Sequence, residues 1–110
     1  MHEGFAPRYA ENVMERVARR RDLLQVGCMV ASPREPIGTW LYVYGVNTDR
    51  LLRCRVTDVS HPRDVARHLK TKREVELGYR EALLLCGLAA MDDRPEECSI
   101  VVVNLGTERK

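Results

Sequence analysis

Asp58, His61 and Arg63 place a carboxyl, an imidazole and a guanidinium within six residues of one another, in the stretch LLRCRVTDVSHPRD from Leu51 to Asp64. Leu52, Cys54 and Val56 alternate with Arg53, Arg55 and Thr57, the period of two that marks a strand with one face in a core and one in water. On that alternation Asp58 takes the core-facing register where the strand ends. A carboxylate there either caps the following turn through backbone N–H groups, or sits at the lip of a pocket. In a pocket, desolvation raises a carboxyl pKa and fits the group for proton donation near neutral pH. His61 is the nearest partner for proton transfer or a substrate contact, and Arg63 joins it as a substrate-binding candidate. No metal is expected, because His61 and His68 lack a third ligand at a recognisable spacing. No cofactor is expected either.

A second group of candidates lies in GTWLYVYG, where Leu41 and Val43 alternate with Trp40, Tyr42 and Tyr44. With the aliphatic side inward, the rings form an outward stripe able to stack on sugars or to meet a protein partner. The structural alternative is that the N-terminal helix covers them.

The elements that must position these residues follow from patterning. Tyr9, Ala10, Val13, Met14 and Val17 recur at three- and four-residue steps after Pro7 and predict a helix over about 9–20. Glu15 stands on its polar side one turn before Arg19, the spacing of a surface ion pair. A short buried strand, Val26 to Ala31, stops at SPREP. VNTDR is a hairpin-like turn into the strand that carries Asp58. Ser60 before Pro62 opens a short helical turn that carries Val65 and Leu69 inward. Glu74 to Leu77 reads as a brief strand, and Tyr79 to Cys86 as a helix closed by Gly87. A polar connector, MDDRPEE, leads to CSIVVVNL, apolar on both faces and therefore a central or barrel-forming strand. The tail GTERK is expected to fray.

A chain of 110 residues supports one core and one domain. Its 18 basic and 16 acidic side chains leave a formal charge of +2, so any basic footprint is local. The runs Arg16 to Arg21 and Arg63 to Arg73 are not interleaved with stacking aromatics, and they read as solvated faces rather than nucleic-acid surfaces. Nothing approaches the ~20 apolar residues of a membrane span, and MHEGFAPRYAE lacks the apolar core of a signal peptide. Cys28, Cys54, Cys86 and Cys98 contain no CxxC pair. They read either as buried thiols or as one or two disulfides, and disulfides would place the domain outside the cytoplasm.

In order along the chain, these segments resemble the double-psi β-barrel of the rare lipoprotein A-like family, related more distantly to barwin, expansin and family-45 endoglucanase barrels. The family's L-P-F-G-T is answered by EPIGT at Glu35 to Thr39, and its V-x-V-x-D-R-G-P-F by CRVTDVSHP at Cys54 to Pro62. Its R-I-I-D-L-S and Ala-rich helix are answered by REVELG and YREALLLCG, and its closing V-x-V-x-V strand by SIVVVNL. The resemblance covers about residues 11–105. It implies a mainly β fold in a single domain 1–110: a six-stranded double-psi barrel over about 26–105, an N-terminal helix over about 9–20, and a short helix after the fourth or fifth strand.

The same resemblance implies cleavage of peptidoglycan glycan strands without addition of water, the lyase reaction of a lytic transglycosylase. Its acid or base is carried onto Asp58, and a family Glu in an N-G-E-R-like stretch onto Glu15. A family His, six residues before the Gly of the G-T pair, falls on Ser32, so that His61 is left to supply what the lost His did. Val59, Ser60, His61 and Pro62 replace R-G-P-F. These departures favour a second function, a non-catalytic barrel that holds cell-wall glycan or a protein, as in a phage tail or surface assembly. Ser32, Trp40, Tyr42, Tyr44 and Arg63 are the substrate-binding candidates under either function. The expected partners are peptidoglycan or another polysaccharide and, in an assembly, a protein. Neither nucleic acid nor a membrane span is expected. The implied location is extracytoplasmic, in the periplasm or envelope, or virion-associated.

Overall fold

The computed structural model describes residues 2–9, 13–20, 27–59 and 74–107, at His2 and Glu15 through the backbone alone. The fold is mainly β. β1 (His2–Phe5), β2 (Cys28–Ser32), β3 (Thr39–Gly45), β4 (Arg50–Val59), β5 (Glu76–Leu77) and β6 (Ser99–Thr107) form one curled sheet in the order β1-β6-β3-β4-β2-β5. β2 and β4 run parallel; the other neighbours are antiparallel. Helices α1 (Val13–Arg20), α2 (Tyr79–Cys86) and α3 (Leu88–Met91) and a 3-10 turn at Pro95–Glu97 complete the described elements.

Two apolar clusters lie on opposite faces of this sheet. Leu41 and Val43 of β3, Cys54 and Val56 of β4, Val30 of β2, and Ile100 and Val102 of β6 share the main core with Ala82 and Leu85 of α2. On the other face, Met29 and Ala31 of β2 meet Met14 and Ala18 of α1, with Tyr9 packed against them. All five residues of β2 are therefore buried, as in a strand covered on both sides. α1 closes onto β4 as well, where the Thr57 hydroxyl donates to Met14 Sδ at 3.7 Å.

The N-terminal segment curls the sheet. Its residues 2–5 pair with β6 at one edge. Further along the same segment, the Glu74 N–H donates to the Phe5 carbonyl at 2.9 Å, the Leu77 N–H to Pro7 at 3.0 Å, and the Tyr9 N–H to Leu77 at 2.9 Å. One short stretch thus satisfies backbone groups on both edge strands, which would otherwise be left open to pairing.

Patterning placed the helix Tyr79–Cys86 where α2 forms, with Gly87 at φ +59° closing it through an N–H donated to the Leu83 carbonyl at 3.0 Å. It also anticipated β3, the turn before Arg50, β4, and β6 as an interior strand between β1 and β3. Other expectations are corrected. Tyr9 lies outside the helix, which is seen from Val13, and its N–H donates to Leu77 of β5. β1 was not anticipated, since HEGF has neither length nor clean alternation and forms by pairing. A further helix, α3, lies between Gly87 and the connector, ending on its first residue Met91, and the connector holds the 3-10 turn. Of the tail expected to fray, Gly106 and Thr107 pair with Trp40 and Thr39, and residues 108–110 lie outside the described residues. The short helical turn expected to carry Val65 and Leu69 lies outside the described residues.

The cysteines resolve in favour of disulfides. Cys28 and Cys54 face each other across β2 and β4 with Cα atoms 4.5 Å apart, and Cys86 at the end of α2 joins Cys98 before β6 with Cα atoms 5.0 Å apart. Both separations suit a cross-link.

Candidate functional site

Asp58 is buried, at 8% exposure, one residue before the end of β4. Its environment differs from the one that simple alternation assigns. Val30 pairs with Val56, but Ala31 pairs with Asp58, so β4 carries one extra residue and Thr57 forms a bulge. The extra residue moves Asp58 out of register with Cys54 and Val56 and sets it beside Ala31, in the cluster under α1. There the Tyr9 hydroxyl donates to Oδ2 at 2.9 Å, and the Val59 N–H donates to Oδ1 at 2.9 Å. Of the two roles considered for Asp58, the bond to its own backbone is present, and the residue borders the second apolar cluster.

Ala31 has a partner on its other side, Glu76 of β5. Asp58 and Glu76 therefore flank one alanine in a single cross-strand row, with backbones ~10 Å apart over two strand spacings. Side chains in one row share a face, and on that face Ala31 is fully buried in the cluster with Met14 and Ala18 of α1. The two carboxyl groups therefore flank a packed alanine.

Ser32, next along β2, is 1% exposed. Its Oγ accepts from the Arg34 N–H at 3.2 Å and the Glu35 N–H at 2.9 Å, holding the SPREP turn. The same turn is fastened to the strand-start of β5 by an ion pair, Arg34 to Glu74 at 3.1 Å, with Glu74 6% exposed. Glu15 follows Met14 on α1; its side chain is outside the described residues, as are all of His61 and Arg63.

The rings of β3 point away from the main core. Tyr42 is 40% exposed, and Trp40 and Tyr44 are half-buried. α1 does not take the place over them that one sequence expectation gave it, since its contacts fall on Met29, Ala31 and Thr57. Arginines of β4 lie against Trp40 instead: Arg53 stacks 4.2 Å from the ring centre and Arg55 lies 5.7 Å away. Tyr44 donates its hydroxyl to Asp49 of the β3–β4 turn, and that bond raises the phenol pKa above 10.0, with smaller contributions from desolvation and from the Asp49 charge.

Asp58 and Ser32 lie at adjoining strand ends, but Ser32 follows Ala31 on β2 and so takes the opposite face from Asp58, and the rings lie further down the sheet. Trp40 pairs with Arg55, three residues or ~10 Å before Asp58. Tyr9 and Glu76 were missed from sequence. Tyr9 was counted as an apolar helix position, and the row that sets Glu76 beside Ala31 exists only through strand pairing. No known family profile matches the chain, and no curated protein sequence matches it.

Proposed function

We propose that this chain is a rare lipoprotein A-like double-psi barrel that acts on the glycan strands of peptidoglycan, with Asp58 as its acid or base. The observation that carries the reading is the buried Asp58 at the end of β4, bonded by Tyr9 and separated from Glu76 only by Ala31. The order of segments from EPIGT to SIVVVNL supports the family, and the curled six-stranded sheet is compatible with it.

In the reaction, the carboxyl of Asp58 gives its proton to the glycosidic oxygen as the bond to C1 breaks. The 6-hydroxyl of the same sugar attacks C1 and loses its proton to a base, for which Glu76 is the nearest second carboxylate in the row. The products are an anhydro sugar and a free hydroxyl, and no water is consumed. If water instead attacks C1, the same two groups perform hydrolysis, which ordinarily uses a carboxylate pair. Two disulfides suit an extracytoplasmic setting.

A second reading is a module that holds glycan or a protein without cutting it. Two observations favour it: Ser32 Oγ already accepts two backbone N–H groups of its own turn, and both Asp58 oxygens accept donors from the protein. Incubating the protein with purified sacculi and weighing the released fragments separates the readings. Anhydro-sugar fragments that disappear with Asp58→Asn support lytic cleavage, and fragments heavier by one water support hydrolysis. Co-sedimentation without release supports the module. Release unchanged in Asp58→Asn removes Asp58 from the mechanism.

A further inference from the structure

The outward face of β3, β4 and β6 sorts its side chains by charge in a way the linear sequence hides. In the row nearest the turn, Glu3, Val101, Tyr44 and Leu51 stand side by side, with Asp49 bonded to Tyr44. One row along, Val103, Tyr42 and Arg53 are neighbours, and one row further Trp40 meets Arg55. The face is therefore acidic at one end and basic at the other. The basic end offers a free ring, Tyr42, beside a guanidinium held flat on Trp40.

This end presents donors and lacks acceptors to match. Among the described residues neither Arg53 nor Arg55 is in an ion pair. Arg53 is exposed, so its guanidinium can meet a ligand, whereas the Trp40 Nε1 and Arg55 Nε atoms are buried, with no hydrogen-bond acceptor among the described residues. A stacked guanidinium has already lost part of its rotamer freedom, so less is lost when a planar anion binds its fork.

We propose that the basic end of this face is a subsite for an acidic glycan, with a sugar ring on Tyr42 and its carboxylate on Arg53 and Arg55. The inference deepens the glycan reading above and rests on it for the class of ligand, but it does not require Asp58 to perform chemistry. Charge order argues against nucleic acid as the occupant. A phosphate chain lying along the strands would leave the arginines and meet Asp49 and Glu3 within three rows, and only one ring of the three stands free for stacking.

The test compares, by titration calorimetry at low salt, an oligosaccharide of uronic acid units with a neutral N-acetylglucosamine oligomer of equal length. The acidic oligomer should bind the parent protein at least ~10-fold more tightly, a preference that falls as salt is raised. Arg53→Gln with Arg55→Gln should abolish that preference while leaving neutral-oligomer binding and the circular dichroism spectrum in place. Equal affinity of the parent for both sugars, or a preference that survives in the arginine variant, overturns the subsite alone. Failure of the parent to bind either sugar overturns the glycan reading with it. Tighter binding of an oligothymidylate than of either sugar identifies the face as a single-strand nucleic-acid surface and overturns the proposal.

Discussion

Asp58 is held from two directions, by the Val59 N–H beside it and by a tyrosine hydroxyl 49 positions earlier in the chain. The longer bond ties the N-terminal segment to the end of β4, so its loss is felt by both. Tyr9→Phe keeps the ring against Met14 and Ala31 and removes only the donor. It should destabilise the fold by about 1 kcal/mol, the usual net contribution of one intramolecular hydrogen bond. Urea unfolding checks this as a lower midpoint at unchanged slope; a midpoint equal to the parent's would mean that the hydroxyl bond contributes nothing. At this scale the chemically capable side chains could be named from sequence, but their partners could not. The Arg53 and Arg55 alternation was visible, whereas the stacking of Arg53 on Trp40 depends on how β3 and β4 are registered.

At the scale of elements, α2 crosses β3 at the one place where β3 has no side chain. A Cβ on Gly45 would lie 2.8 Å from the carbonyl carbon of Leu85 and 2.9 Å from its Cα, and these are backbone atoms that cannot swing aside. Gly45→Ala should therefore push α2 off the sheet and cost about 1–3 kcal/mol or more, as overpacking does. Because Leu85 is fully buried in the main core, the loss should appear in thermal unfolding as a lower Tm; a Tm unchanged from the parent's would show that helix and strand do not approach this closely. The bulge at Thr57 is the other element-scale feature that decides the site. One extra residue on β4 transfers a carboxyl from the core below the sheet to the cluster above it.

Over the whole molecule, the two disulfides tie different parts of the fold. Cys28–Cys54 clamps the parallel pair β2–β4 at the end opposite Asp58, and Cys86–Cys98 fastens the helical excursion to the start of β6. The bridges close loops with sequence separations of 26 and 12 residues. In the chain-entropy view each contributes about 3 kcal/mol. Peptide mapping of alkylated, unreduced protein should recover Cys28 linked to Cys54 and Cys86 linked to Cys98, and reduction should lower the Tm. Four freely alkylated thiols, or a crossed pairing such as Cys54 with Cys86, would contradict this architecture.

Sequence by itself determined the elements whose information is local. Alternation in TWLYVYG, the run apolar on both faces in SIVVVN, and the YREALLLC helix stopped by Gly87 are written in neighbouring residues and read correctly as β3, β6 and α2. Tertiary structure alone decided whatever depends on contacts between distant positions. HEGF becomes a strand by pairing with β6, and Tyr9 is placed beside β5, where its N–H donates to Leu77. Asp58 changes face because β2 and β4 pair with a bulge, and Glu76 becomes its neighbour because β5 pairs with the same alanine. Side-chain periodicity predicts which way a residue points only while pairing is regular, and an extra residue in one strand reverses it.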